Sequence, residues 1–132
     1  MDGWMGKVIR VNDDEVGNGK DQFFSTVTVS PQGYAQLIFY DRREDPDNTL
    51  LNIYYAVSVD GGETFHNMNI TNTQFNGDYS RGPFMGDYLG IASSETTCFA
   101  IWADTRNGDA DNVNADLYSA RIEIAEIEDM LL

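Results

Sequence analysis

Two short motifs, "YDRR" and "ADTR", set an Asp two residues before an Arg, at Asp41/Arg43 and at Asp104/Arg106. The segment "SRGPFMGDYLG" adds Arg81, Asp87 and Tyr88. A guanidinium grips a carboxylate through two parallel N–H bonds, and a positioned carboxyl group transfers protons to or from a reacting oxygen. These seven residues form the candidate ligand-binding set, with Tyr79, Phe84 and Tyr88 as aromatics able to stack on sugar faces. No position is assigned a catalytic role. Asp and Arg at i and i+2 share one strand face, and a pair that recurs reads more as ion pairing between repeated units than as one asymmetric site.

Other reactive residue types offer less. The single cysteine, Cys98, excludes an internal disulfide, and in the apolar run "TTCFAIWAD" it reads as a buried, inert thiol. His66 is a lone histidine on a strand and reads as incidental. The loop "NGDADNVNAD" is rich in oxygen ligands that suit Ca²⁺, but Val113 interrupts the spacing of an EF-hand loop. A solvated acidic loop is the preferred reading, and no cofactor is expected.

The elements that must position these residues are strands. Apolar periodicity is β nearly throughout, with strands expected over 22–30, 34–41, 52–59, 64–71, 84–92, 97–104 and 115–124. "KVIRVN" (7–12) alternates in the same way. Only "AEIEDMLL" at the end can form a helical turn. The fold class is all-β.

A repeat organises the strands. "LIFYDRR" (37–43) returns as "AIWADTR" (100–106), a shift of 63 residues, and "IYYAV" (53–57) as "LYSAR" (117–121), a shift of 64. Each Asp/Arg pair is followed by a loop rich in Asp and Asn. Two units of about 63 residues, each of three or four strands, read as β-propeller blades.

Between the first two repeat segments, "SVDGGETF" sets Ser58, Asp60, Gly62, Thr64 and Phe65 in the spacing S-x-D-x-G-x-T-[WF]. This resembles the Asp box of sialidase-like BNR-repeat propellers, and "GDYLGIA", "IWADTRNG" and "DLYSARI" resemble other segments of that family. The resemblance covers nearly the whole chain. It implies that the box is structural: it lies on the hairpin between the third and fourth strands of a blade, away from the ligand face. On physical grounds, Asp60 can accept N–H groups of the tight turn, the glycines permit positive φ, and Phe65 can pack beneath. The family's hydrolases use an arginine cluster on the substrate carboxylate, an Asp acid/base and a Tyr nucleophile assisted by Glu. No residue here matches those roles individually.

A sialidase-like propeller has six blades and this chain has two. The expected organisation is one domain, 1–132, in which 21–72 is the first blade with the Asp box and 73–132 the second. "DGWMGKVIRVN", with Trp4 in the place of Phe65, looks like the end of another box, so 1–20 is read as an outer strand completing a neighbouring blade. The second blade lacks a clear fourth strand. Lys7–Asn12 of one copy is therefore expected to pair with Asp116–Ile124 of another, covering open edges in a closed ring. Three copies make six blades, and a homotrimer is the expectation. A fragment of a longer protein is the rival.

Charge narrows the partners. With 22 acidic and 8 basic residues the net charge is −14, which repels nucleic acid and anionic membranes. No apolar run reaches the roughly 18 residues of a membrane span, and the first ten residues carry no signal-peptide-like segment. A module that binds glycans or has no catalytic activity, including a purely structural one with no ligand, is the preferred function, and an exo-sialidase with a site at the central top face is the alternative. Retaining catalysis needs differently tuned groups around one sugar, whereas a symmetric ring sets identical residues about its axis.

Overall fold

β-branched and aromatic runs build two antiparallel meanders in the computed structural model, which describes residues 6–80, 85 and 89–132. The first contains β1 (Gln22–Val29), β2 (Ala35–Asp41), β3 (Leu50–Ser58) and β4 (His66–Asn69) in sequential order, with β5 (Phe75–Asn76) paired to the start of β3. The second contains β6 (Gly90–Ser93), β7 (Thr97–Asp104) and β8 (Asp116–Glu123), followed by α1 (Ile124–Leu131). The described residues are all-β apart from α1 and a short 3-10 turn at Gly77–Tyr79.

Register assigns the faces. Ile38 pairs with Tyr55 and Tyr40 with Ile53, so these four share one face, while Leu37/Ala56 and Phe39/Tyr54 share the other. β3 carries the apolar run 53–57 because it is buried on both faces. On the first face Ile38, Tyr40, Tyr55 and Val57 enclose one core with Ala100 and Trp102 of β7 and with Ile124 and Ile127 of α1. The two sheets therefore stack face to face. Polar bridges fix that stacking: Tyr40 donates its hydroxyl to the Ala103 carbonyl at 2.9 Å, and Gln36 Nε2 donates to Ser93 Oγ at 2.8 Å. Gln36 Oε1 in turn accepts from the buried Tyr55 hydroxyl at 2.7 Å.

Residues 7–12 make no strand within the single chain and cross the outer face of the first sheet. Val11 packs there on Phe39, Tyr54 and Ala56, and its carbonyl accepts from Asn67 Nδ2 at 2.9 Å, while Val8 is left 89% exposed. β4 is shorter than the expected 64–71, and β6 is described from Gly90. Thr64 is held in the preceding turn rather than in β4, and 84 and 86–88 lie outside the described residues. α1 is a full eight-residue helix rather than a turn, because Ile124 and Ile127 are drawn into the core. Finally, β5 lies past residue 72 yet pairs Phe75 with Leu51, so the start of the second unit is stitched to the first sheet.

Candidate functional site

The hairpin at 58–65 is built around one carboxylate. Asp60 Oδ1 accepts from Ser58 Oγ at 2.7 Å and from the Glu63 and Thr64 amides at 3.0 and 2.9 Å, and Oδ2 accepts from Thr64 Oγ1 at 2.5 Å. These donors, Thr64 first, hold the Asp60 carboxyl well below the usual carboxylate range. Gly61 and Gly62 take φ of 79° and 90°, the left-handed region that glycine enters without a Cβ penalty. Ser58 Oγ closes the loop by accepting the Gly62 amide at 2.8 Å, and Phe65 packs with Phe39 and Tyr54 on the outer face. The Asp60 carboxylate and the Ser58 and Thr64 hydroxyls are thus spent on the turn itself, while Glu63 accepts from Lys7 Nζ at 2.9 Å.

The two Asp/Arg pairs occupy equivalent places and make equivalent contacts. Asp41 ends β2 fully buried: Oδ1 accepts from the Arg43 amide at 2.7 Å and from Gln22 Nε2 at 3.3 Å, and Oδ2 from Arg43 Nε at 2.9 Å. Asp104 ends β7 fully buried: Oδ1 accepts from the Arg106 amide at 2.8 Å and Oδ2 from Arg106 Nη2 at 2.8 Å and Trp102 Nε1 at 3.0 Å. Each guanidinium lies over a tyrosine of the next strand, Arg43 over Tyr54 at 4.1 Å and Arg106 over Tyr118 at 4.0 Å. Each also reaches back to the chain that enters its unit, Arg43 Nη1 to Asp13 at 2.5 Å and Arg106 Nη1 to Asn72 at 2.6 Å. The pairs lie within each unit, and the arginines clamp the segment before it. Neither arginine presents a free fork to a ligand, and neither aspartate has an oxygen facing solvent from which to pass a proton.

The acidic loops are self-capping. Asp45 accepts the amides of Leu50, Thr49 and Asp47, which hold its carboxyl below the usual range. Asp109, 64 residues on, accepts those of Asp111 and Asn112 at 2.9 and 2.8 Å. These carboxylates fold their loops by local side-chain-to-backbone bonds, and no group of three or more His, Cys, Asp or Glu able to hold a metal occurs among the described residues. Cys98 is fully buried, and burial pushes its thiol up to about 11, away from nucleophilic reactivity. His66 is exposed on β4.

The loops at the end carrying Asp41 and Asp104 converge. Thr105 Oγ1 donates to the Asn76 carbonyl at 2.6 Å, and the Asn114 amide to the Tyr79 carbonyl at 2.8 Å. Tyr79 is half-buried there beside the Asn-rich loop. Arg81, Phe84, Asp87 and Tyr88, like Trp4, lie outside the described residues.

Two residues that the sequence reading passed over stand at the same end of β1. Phe24 takes φ 52° at a bulge between Phe23 and Thr26, and it remains partly exposed. A bulky side chain at positive φ is a strained conformation that local structure must enforce. Nearby, Arg42 lies over the Phe23 ring at 4.9 Å, with Asp21 at 3.6 Å, and its buried Nε finds no acceptor among the described residues. The signal was present: the first unit reads "DRR" where the second reads "DTR", so Arg42 breaks the repeat, as Phe24 does opposite Asp87. A β-bulge has no sequence mark here, which is why Phe24 was not found.

Comparisons of the chain with protein-family models, with curated proteins and with solved structures returned no match.

Proposed function

We propose that the chain is a two-blade unit of a sialidase-like β-propeller that assembles from several copies, three making six blades, and binds carbohydrate without cleaving it. The repeat supports the propeller reading: two meanders with matching Asp/Arg/Tyr clusters stack in the same sense, and their first strands, β1 and β6, lie side by side. In this reading residues 7–12 complete the second sheet of another copy along the open edge of β8.

The observation that carries the ligand reading is the placing of Phe24 and Arg42 at one end of the first sheet. A partly exposed ring held by a strained bulge suits the apolar face of a sugar ring, and Arg42, stacked on Phe23 beside Asp21, sets a cation at the same end. The expected contribution of Arg81, Asp87 and Tyr88 rests on sequence position alone. The engagement of Asp41 and Asp104 with their arginines favours binding over hydrolysis.

A glycan array followed by titration calorimetry tests this. Phe24→Asn keeps a residue tolerant of positive φ and removes the ring, so it should weaken any glycan found at least tenfold with the assembly intact. Arg42→Ala and Arg81→Ala should do the same, and a fluorogenic sialoside should not be cleaved. Undiminished binding in the first two variants moves the site away from β1. Turnover of the sialoside restores the hydrolase alternative.

A further inference from the structure

The stacking of the two sheets within one chain leaves its two complementary halves unused. The second sheet presents Ala100 and Trp102 inward, and their repeat equivalents in the first sheet are Leu37 and Phe39, on the outer face. The first sheet presents Ile38 and Ile53 inward, and their equivalents in the second are Ile101 and Leu117, on the outer face. Within the chain, then, one type of face meets the other type, and one of each remains outward at opposite ends of the pair.

Both outward faces are apolar and incompletely covered. On the second sheet Phe99, Ile101 and Leu117 are 53%, 43% and 74% exposed, and Phe99 and Ile101 border an open depression with Ala92 and Ser119. On the first sheet Val27 and Val29 are 59% and 60% exposed, on the same face as Leu37, with which Val27 pairs. Val11 covers only the far part of that face, against Phe39 and Tyr54. Exposed contiguous apolar surface of this kind marks association.

We infer that the outer face of the second sheet in one copy docks on the outer face of the first sheet in a second copy, repeating between copies the stacking seen within the chain. This deepens the ring reading above and rests on it. The contact is heterologous, so each copy offers one donor face and one acceptor face, and only a closed ring satisfies all of them. The occupant is a second copy because the chain itself supplies the matching half of an interface it already forms. Residues 7–13, lying beside the Val27 face through Asn67 and Val11, are placed next to the incoming β8 edge.

The test uses complementary surface variants of the full chain in about 0.15 M salt, where charge repulsion beyond about 8 Å is screened. Leu117→Asp blocks the second-sheet face and Val27→Asp the first-sheet face; circular dichroism checks folding, and Phe99→Lys with Val29→Lys is the second pair. The wild type should sediment at three times the 14.8 kDa chain mass, each variant alone as a monomer. An equimolar mixture should give a dimer, since each variant retains the face the other lacks. A monomeric wild type overturns the ring reading itself. An oligomeric wild type whose variants still assemble, or whose monomeric variants fail to pair on mixing, leaves the ring standing and overturns these faces.

Discussion

Asp60 gathers four donors within the seven residues 58–64, and Asp41 and Asp104 each hold an arginine two residues on. These carboxylates are spent on structure, and their removal should register as stability rather than as ligand affinity. Asp60→Ala should lower the melting temperature by about 5 °C or more, read by calorimetry, with the glycan affinity of the assembled protein unchanged. Because the Asp60 carboxyl is held below its ordinary value of 3.8, its contribution is complete above that pH and is lost as pH falls below it. Wild-type stability should therefore drop in acid below about pH 4, and the drop should be shallower in Asp60→Asn. Arg43→Ala leaves a fully buried Asp41 without its cation and should cost about 3 kcal/mol in denaturant unfolding. Arg106→Ala should match it, and unequal losses would break the equivalence of the two clusters.

Between the sheets, Tyr40 and Gln36 are the polar pins. Burial pushes the Tyr40 hydroxyl up to about 12, so the folded state keeps its proton where the unfolded chain releases it near 10. That contribution is complete below pH 10 and is lost as pH rises through about 12. Tyr40→Phe should lose about 1 kcal/mol at neutral pH with the bond to Ala103 and should resist alkali better than wild type. Gln36→Met should cost about 1–3 kcal/mol by leaving the Tyr55 hydroxyl without its acceptor; no loss would mean that water substitutes. The strands of both units were legible because β-branched and aromatic residues alternate or run unbroken between Gly, Pro and Asn turns. What escaped depended on tertiary contact. α1 exists because two isoleucines reach the core, β5 because two residues meet the edge at the start of β3 that β4 leaves unpaired, and the bulge at Phe24 because register slips against Ile38. Residues 7–12 carry strand periodicity but make no strand within the single chain, and the pairing expected of them lies between copies.

For the whole molecule, the central claim is that the two sheets are neighbouring blades whose stacking continues from copy to copy. The repeat made the two sheet units legible, since Asp41, Arg43 and Tyr54 return as Asp104, Arg106 and Tyr118 with the same contacts. It did not reveal the end proposed to bind carbohydrate, where Arg42 and Phe24 depart from the repeat. A net charge of −14 per chain opposes association at low salt, so rings should tighten as salt rises, visible as a lower dissociation concentration. The most direct measurement is the mass of the untagged chain across a hundredfold concentration range at physiological salt, by analytical ultracentrifugation. Three times 14.8 kDa, persisting on dilution, is the predicted result. A single compact species of 14.8 kDa, stably folded at every concentration, would contradict the account.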